Sequence, residues 1–254
     1  MHVFAGITPE LKLPLFPNSA ANHDHVMEDQ LLATLASYGY PIGAQDSGNC
    51  SAVVFGAVYT IPCPPVIIQA VQLPVLQYLK TRTERVQLLY VAEYDPESLT
   101  YKGMERIAAV AQHYVTWKEH IYQDVGKMLA LLNITWNASE IDSHGGFVKP
   151  HDFVNHSHRL GMKFGVYTIH DMRETISAGP AGACTTVPDC SDSIKANEVN
   201  YLLRMGVDGF FMDNVADSRE ILLRLEWNLI MEEMIATGIA EVNGARVSCS
   251  RAAK

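Results

Sequence analysis

Two segments of this chain share one grammar: HRLGMKFGVYTI over 158–169 and NYLLRMGVDGFFMDN over 200–214. Each reads as the end of a helix, a glycine that stops it in a left-handed conformation, and an apolar run too unbroken for a strand with one wet face. Parallel strands need a crossover between them, and the crossover lays a helix over the sheet. The repeated unit therefore excludes helical bundles and β-sandwiches and leaves two architectures, a (β/α) barrel or a doubly wound sheet.

The rest of the chain follows the same alternation. Strands are expected over 3–11, 65–71, 85–93, 111–117, 163–169 and 209–214, and helices over 26–38, 72–80, 101–109, 119–132, 150–160, 195–205 and 216–238. Pro150 suits the first turn of its helix, where the missing N–H costs nothing, and Gly161 and Gly206 suit helix stops. The 254 residues are 48% apolar and 19% charged, with no linker or repeat, so 1–254 reads as a single domain. A length of about 250 residues is what one (β/α) barrel takes.

Charge narrows the partners. A net charge of −9 and a pI near 5.5, without a basic stripe, exclude a nucleic-acid backbone binder. No apolar run approaches a membrane span, and MHVFAGITPELK lacks the layout of a signal peptide. Five cysteines include one close pair, Cys184 and Cys190, whose spacing fits no zinc motif and leaves a loop-stapling disulfide or two idle thiols. Four N-x-S/T sequons, at Asn49, Asn133, Asn137 and Asn155, point to a secreted or endomembrane origin.

Chemistry in such folds sits at the C-terminal ends of the strands. Glu10 and Lys12 differ by two, so on a strand they point to one side, either as an ion pair or as a carboxylate for a hard cation beside a lysine for a phosphate oxygen. Gln69 interrupts the apolar run VIIQAV and needs partners there. Tyr167, Thr168, His170, Asp171, Asp213 and Asn214 close the last two strands, where Asp213 serves a site or caps the next helix. His23 and His25 fall in a loop leading into a helix. His156 and His158 lie on different faces of theirs, which argues against a shared metal. Gly145-Gly146 reads as a turn, and nucleophile elbows, Walker loops and dinucleotide fingerprints are absent.

Taken in order, GITPELKLPLFPN, VIIQA, HDFVNHSHRLGMKFGVYTIHD and NYLLRMGVDGFFMDN resemble the glycerophosphodiester phosphodiesterases, most of all their plant-type branch. The resemblance implies a (β/α)8 TIM barrel of the PLC-like phosphodiesterase type, and hydrolysis of a small-molecule glycerophosphodiester to glycerol 3-phosphate and an alcohol with a divalent cation, Ca2+ or Mg2+. It assigns Glu10 to the metal, and Lys12, Gln69, Tyr167 and Thr168 to the substrate; Asp213 matches the aspartate ending the eighth strand. It also places this chain on strands three to eight, about 3–215, with a C-terminal helix over 216–238. The family's H-R-G, E-x-D and H-D motifs, which carry the acid-base histidines and the other metal carboxylates, have no counterpart; His151-Asp152 precedes the seventh strand and does not take that role.

On this reading the chain by itself falls short of a competent phosphodiesterase. The alternative is a non-catalytic barrel remnant that binds phosphodiesters or a protein partner. The segment from Arg173 to Asn197, with Cys184 and Cys190, is expected to overhang the mouth as a lid or substrate-selecting loop.

Overall fold

The computed structural model describes residues 6–12, 14, 24–46, 48–54, 57–93, 95–169, 192–212, 216 and 219–223. These fall into two compact units, one within Met1–Thr168 and Met205–Phe211, the other within Ile169–Arg204 and Met212–Lys254. His170, Asp171, Asp213, Asn214, Cys184, Cys190 and His23 lie outside the described residues, as does nearly all of the expected lid.

A six-stranded parallel sheet runs through β1 (Glu10–Leu11), β4 (Ile67–Ala70), β5 (Gln87–Ala92), β6 (His113–Trp117), β7 (Lys163–Ile169) and β8 (Gly209–Met212), in that order. Every expected strand is present. The order decides between the two architectures. A doubly wound sheet reverses direction partway, whereas a monotonic order with right-handed crossovers puts every connecting helix on one face, as in a barrel wall. The sheet is singly wound and corresponds to part of a (β/α) barrel.

Of the helices, α1 (Val26–Ser37), α2 (Leu73–Arg82), α3 (Tyr101–Ala108), α4 (Val125–Leu131), α5 (Ala138–Ser143) and α6 (Phe153–Arg159) belong to the first unit, and α7 (Asp192–Arg204) to the second. Local chemistry sets their bounds. Thr100 caps α3 by accepting from the Gly103 N–H at 3.0 Å, and Asp124 caps α4 by accepting from Lys127 at 3.0 Å. Pro150 opens a 3-10 turn just before α6. Gly161 and Gly206 follow α6 and α7 with φ of 78° and 89°, the left-handed stops read from the sequence.

The core lies between the sheet and its helices. Tyr114 stacks on Phe153, at the start of α6, with centroids 6.5 Å apart, and Phe164 lies 6.1 Å from both. All three are fully buried, as are Ile68, Leu76, Leu79 and Leu88. Each such side chain contributes about 1.5–3 kcal/mol of transfer free energy.

The helix expected over 119–132 is a 3-10 turn (Lys118–Ile121) followed by α4, α5 is not expected from the sequence, and two further features depart from the sequence reading. Between β1 and β4, β2 (Asn49–Val54) and β3 (Ala57–Pro62) pair antiparallel as a hairpin, a two-stranded sheet of its own. A disulfide joins Cys50 to Cys63 at its base. The sequence singles out the close pair Cys184 and Cys190 instead, because spacing along the chain says nothing of a partner brought across a hairpin.

The first strand is shorter than the expected 3–11. Pro9 has no N–H to give the ladder, although its carbonyl accepts from Gln69 at 3.0 Å, so regular pairing starts only at Glu10. Before it, Ile7 bridges Val66, and Gly6 is required: a Cβ there would stand 2.6 Å from the Pro65 carbonyl oxygen.

Candidate functional site

Register builds the site. Glu10 stands opposite Gln69 across β1 and β4, and the Gln69 amide Nε2 donates to Glu10 Oε2 at 3.2 Å. Lys12 Nζ lies 3.6 Å from the same oxygen, so the two residues do share a side as their i, i+2 spacing requires. Glu10 and Lys12 are an ion pair, one with an exposed ammonium: the Lys12 side chain is 77% accessible, that of Glu10 28%.

Gln69 is the unusual member. It is 8% exposed, and its Oε1 is buried with no hydrogen-bond partner among the described residues. Rotating the amide by half a turn would set that oxygen against the Glu10 carboxylate, so Glu10 itself fixes the orientation. An unsatisfied buried carbonyl costs roughly 1–3 kcal/mol, which a donor arriving from a ligand would recover.

Alternation defines which face this is. Tyr90, Tyr114 and Phe164 form one aromatic layer with Phe153 on the helix side. Ala70 is in register with Tyr90, and Tyr90 with Tyr114, so the neighbouring residues Gln69 and Leu89 face away from the helices, and Glu10 with them. The same alternation puts Trp117 and Tyr167, paired across β6 and β7, on that face. Tyr167 donates to the Ala92 carbonyl at 3.1 Å and is half-buried. Thr168, also half-buried, follows it. Glu10, Lys12 and Gln69 thus form one cluster, while β5 and β6 lie between the strand of Gln69 and that of Tyr167.

One residue that the sequence reading did not single out is His120, just past the end of β6. It is fully buried, accepts or donates at Nδ1 to Thr116 Oγ1 over 2.8 Å, stacks on Phe153 at 6.4 Å, and leaves Nε2 buried without a partner among the described residues. Burial lowers its pKa to about 4, so it is neutral at pH 7. Its ring meets the helix-side Phe153 and also packs edge-on, at 5.8 Å, against Trp117 of the Glu10 face.

Three other described histidines, His25, His156 and His158, are structural in their contacts. His25 has a left-handed φ of 66° ahead of α1, makes no side-chain cap, and stacks on Tyr78 at 3.6 Å. His158 bonds Asp208 at 2.7 Å, whereas His156 packs its ring edge-on to Tyr101, confirming different helix faces. Burial raises the Asp208 pKa, but the Phe164 N–H, His158 and Lys163 outweigh it and hold the carboxyl below its usual range.

The cluster does not fit a Ca2+ or Mg2+ site by itself. Calcium takes six to eight oxygens, and magnesium needs a near-octahedral set. Among the described residues no three His, Cys, Asp or Glu side chains are grouped to hold a metal. Glu10 offers one carboxylate, already shared by an amide and an ammonium that opposes a second cation.

The fold and the cluster together define a singly wound parallel α/β protein with polar side chains gathered at the C-terminal end of adjacent strands. No family model matches the chain, and no curated protein matches it. Among solved structures it is similar to one from Silicibacter pomeroyi DSS-3, described as "Putative glycerophosphoryl diester phosphodiesterase", at 12% identity and a TM-score of 0.35. The match covers 63% of this chain and spans 39% of that one. A likeness of that depth fixes no chemistry.

Proposed function

We propose that the chain recognises glycerophosphodiesters and serves their hydrolysis to glycerol 3-phosphate and an alcohol. The observation that carries this is Gln69: a buried carbonyl oxygen without a donor among the described residues, beside an exposed ammonium, at the strand ends where such folds place their chemistry. The ligand's two halves suit the two groups. A glycerol hydroxyl would donate to Gln69 Oε1, and the phosphodiester anion would pair with Lys12. Glu10 orients both by accepting from Gln69 and Lys12. The ordered motifs set out in the sequence analysis support the substrate class.

A second reading, binding without turnover, is favoured by the single carboxylate in the cluster. One experiment separates them. The full chain is titrated with glycerophosphocholine by calorimetry, and release of glycerol 3-phosphate is followed by a coupled dehydrogenase assay with Ca2+ or Mg2+ added. Saturable binding with release supports hydrolysis, binding without release supports the second reading, and no binding overturns both.

A further inference from the structure

The helix α4 ends in a Schellman motif whose left-handed residue is Asn133: φ is 57°, its N–H donates to the Ala130 carbonyl at 3.0 Å, and the Ile134 N–H reaches back to Leu129 at 2.9 Å. Both backbone bonds close onto the helix, and Asn133 and Thr135 are left exposed. Beside them is a cleft of about 460 Å³ lined by Ala130, Asn133, Ile134, Thr135 and Trp136. Leu131 is 71% exposed and Leu132 38%, so the helix end is an unusually apolar surface.

These residues also spell a sequon, Asn133-Ile134-Thr135, and the disulfide between Cys50 and Cys63 suits an oxidising compartment of the kind in which sequons are modified. The four sequons are not equivalent. Asn137 Oδ1 caps α5, accepting from the N–H and the hydroxyl of Ser139. Asn155 is held within α6, and the Ser157 of its sequon is buried. Asn49 opens a strand next to a disulfide cysteine. Asn133 alone combines exposure, an exposed threonine two residues on, and a cleft at its own side chain.

We propose that Asn133 carries an N-linked glycan whose first N-acetylglucosamine lies in the cleft against Trp136. In the transfer, the Asn133 amide nitrogen bonds to the anomeric carbon of a lipid-diphosphate-linked oligosaccharide. The bond from that carbon to the diphosphate breaks, the amide loses one proton, and the lipid diphosphate leaves. The sugar's apolar ring face then covers the indole and the neighbouring leucines, while its hydroxyls face water. The inference is independent of the phosphodiester reading.

The test routes the full chain, behind a secretory leader, through eukaryotic cells and maps modified peptides by mass spectrometry. Asn133 is expected to be occupied in most secreted molecules, and bare in the Thr135→Ala variant. Wild-type protein trimmed enzymatically to one N-acetylglucosamine is then compared with Asn133→Asp, which keeps the left-handed turn without a glycan. Their tryptophan emission should differ, and the difference should vanish when both carry Trp136→Phe. Secreted chain with Asn133 bare overturns the proposal, as does equal emission of the trimmed and unglycosylated forms.

Discussion

Glu10 and Gln69 face each other across the first two strands of the parallel sheet, and the hydrogen bond between them leaves the other half of the Gln69 amide, a buried oxygen, without a donor among the described residues. Gln69→Leu removes donor and orphan together at similar volume. Thermal stability should hardly change, because loss of the Glu10 bond is offset by loss of the unsatisfied carbonyl. Affinity for glycerophosphocholine should fall by about tenfold, roughly one hydrogen bond, when measured by calorimetry. Unchanged affinity would remove Gln69 from the site.

Lys12 is expected to act through charge. Lys12→Met should weaken glycerophosphocholine binding and flatten its dependence on salt, whereas Lys12→Arg keeps most of both, since either cation can meet a phosphate oxygen. The measurement is a binding titration repeated across ionic strength.

His120 makes stability depend on pH. Its folded pKa of about 4 lies below the ordinary value of 6.5, so the unfolded chain binds the extra proton between them. The contribution is complete above pH 6.5 and is lost as pH falls toward 4, on the order of 3 kcal/mol in all. Urea unfolding of wild type and His120→Gln at several pH values should show a shallower fall for the variant in that window. Parallel curves would mean that another group titrates there.

Asp208 has the depressed pKa of a carboxylate with partners. Its contribution is present above the ordinary value of 3.8 and is lost as pH falls through the lowered folded value. Asp208→Asn keeps the shape but loses the charge beside His158 and Lys163, and should destabilise by about 1–2 kcal/mol in urea at pH 7.

The hairpin is predicted to open without the parallel sheet. Cys50→Ser with Cys63→Ser should speed amide exchange over 48–63, since the bridge closes a loop with a sequence separation of 13 and the two strands form a sheet of their own. Protection in β5 and β6 should stay as it was.

The parallel strands could be read from the chain because they are buried on both faces, and that leaves unbroken runs such as VIIQAV and KFGVYTI. The shared side of Glu10 and Lys12 was equally legible, being a matter of period two. Gln69 could be marked as a buried amide, but its partner could not, since register between strands 59 residues apart is set by the whole sheet. The hairpin carried a signal, β-branched runs on both sides of Gly56, which the β/α alternation on either side obscured. His120 had none: a histidine three residues past a strand is buried or wet according to the helix that later covers it, here Phe153.

The insertion of α1 and the hairpin between β1 and β4 also bears on the order of assembly. Gln69 meets Leu89 over roughly a third of the chain distance that separates it from Glu10, so closing the Glu10 pairing costs about 1 kcal/mol more in loop entropy. Its return is a ladder only two residues long, with one rung withheld by Pro9. The pairing that creates the candidate site is therefore expected to form after that of β4 with β5 and to open before it, which ties the site's occupancy by any ligand to the closing of that one short strand.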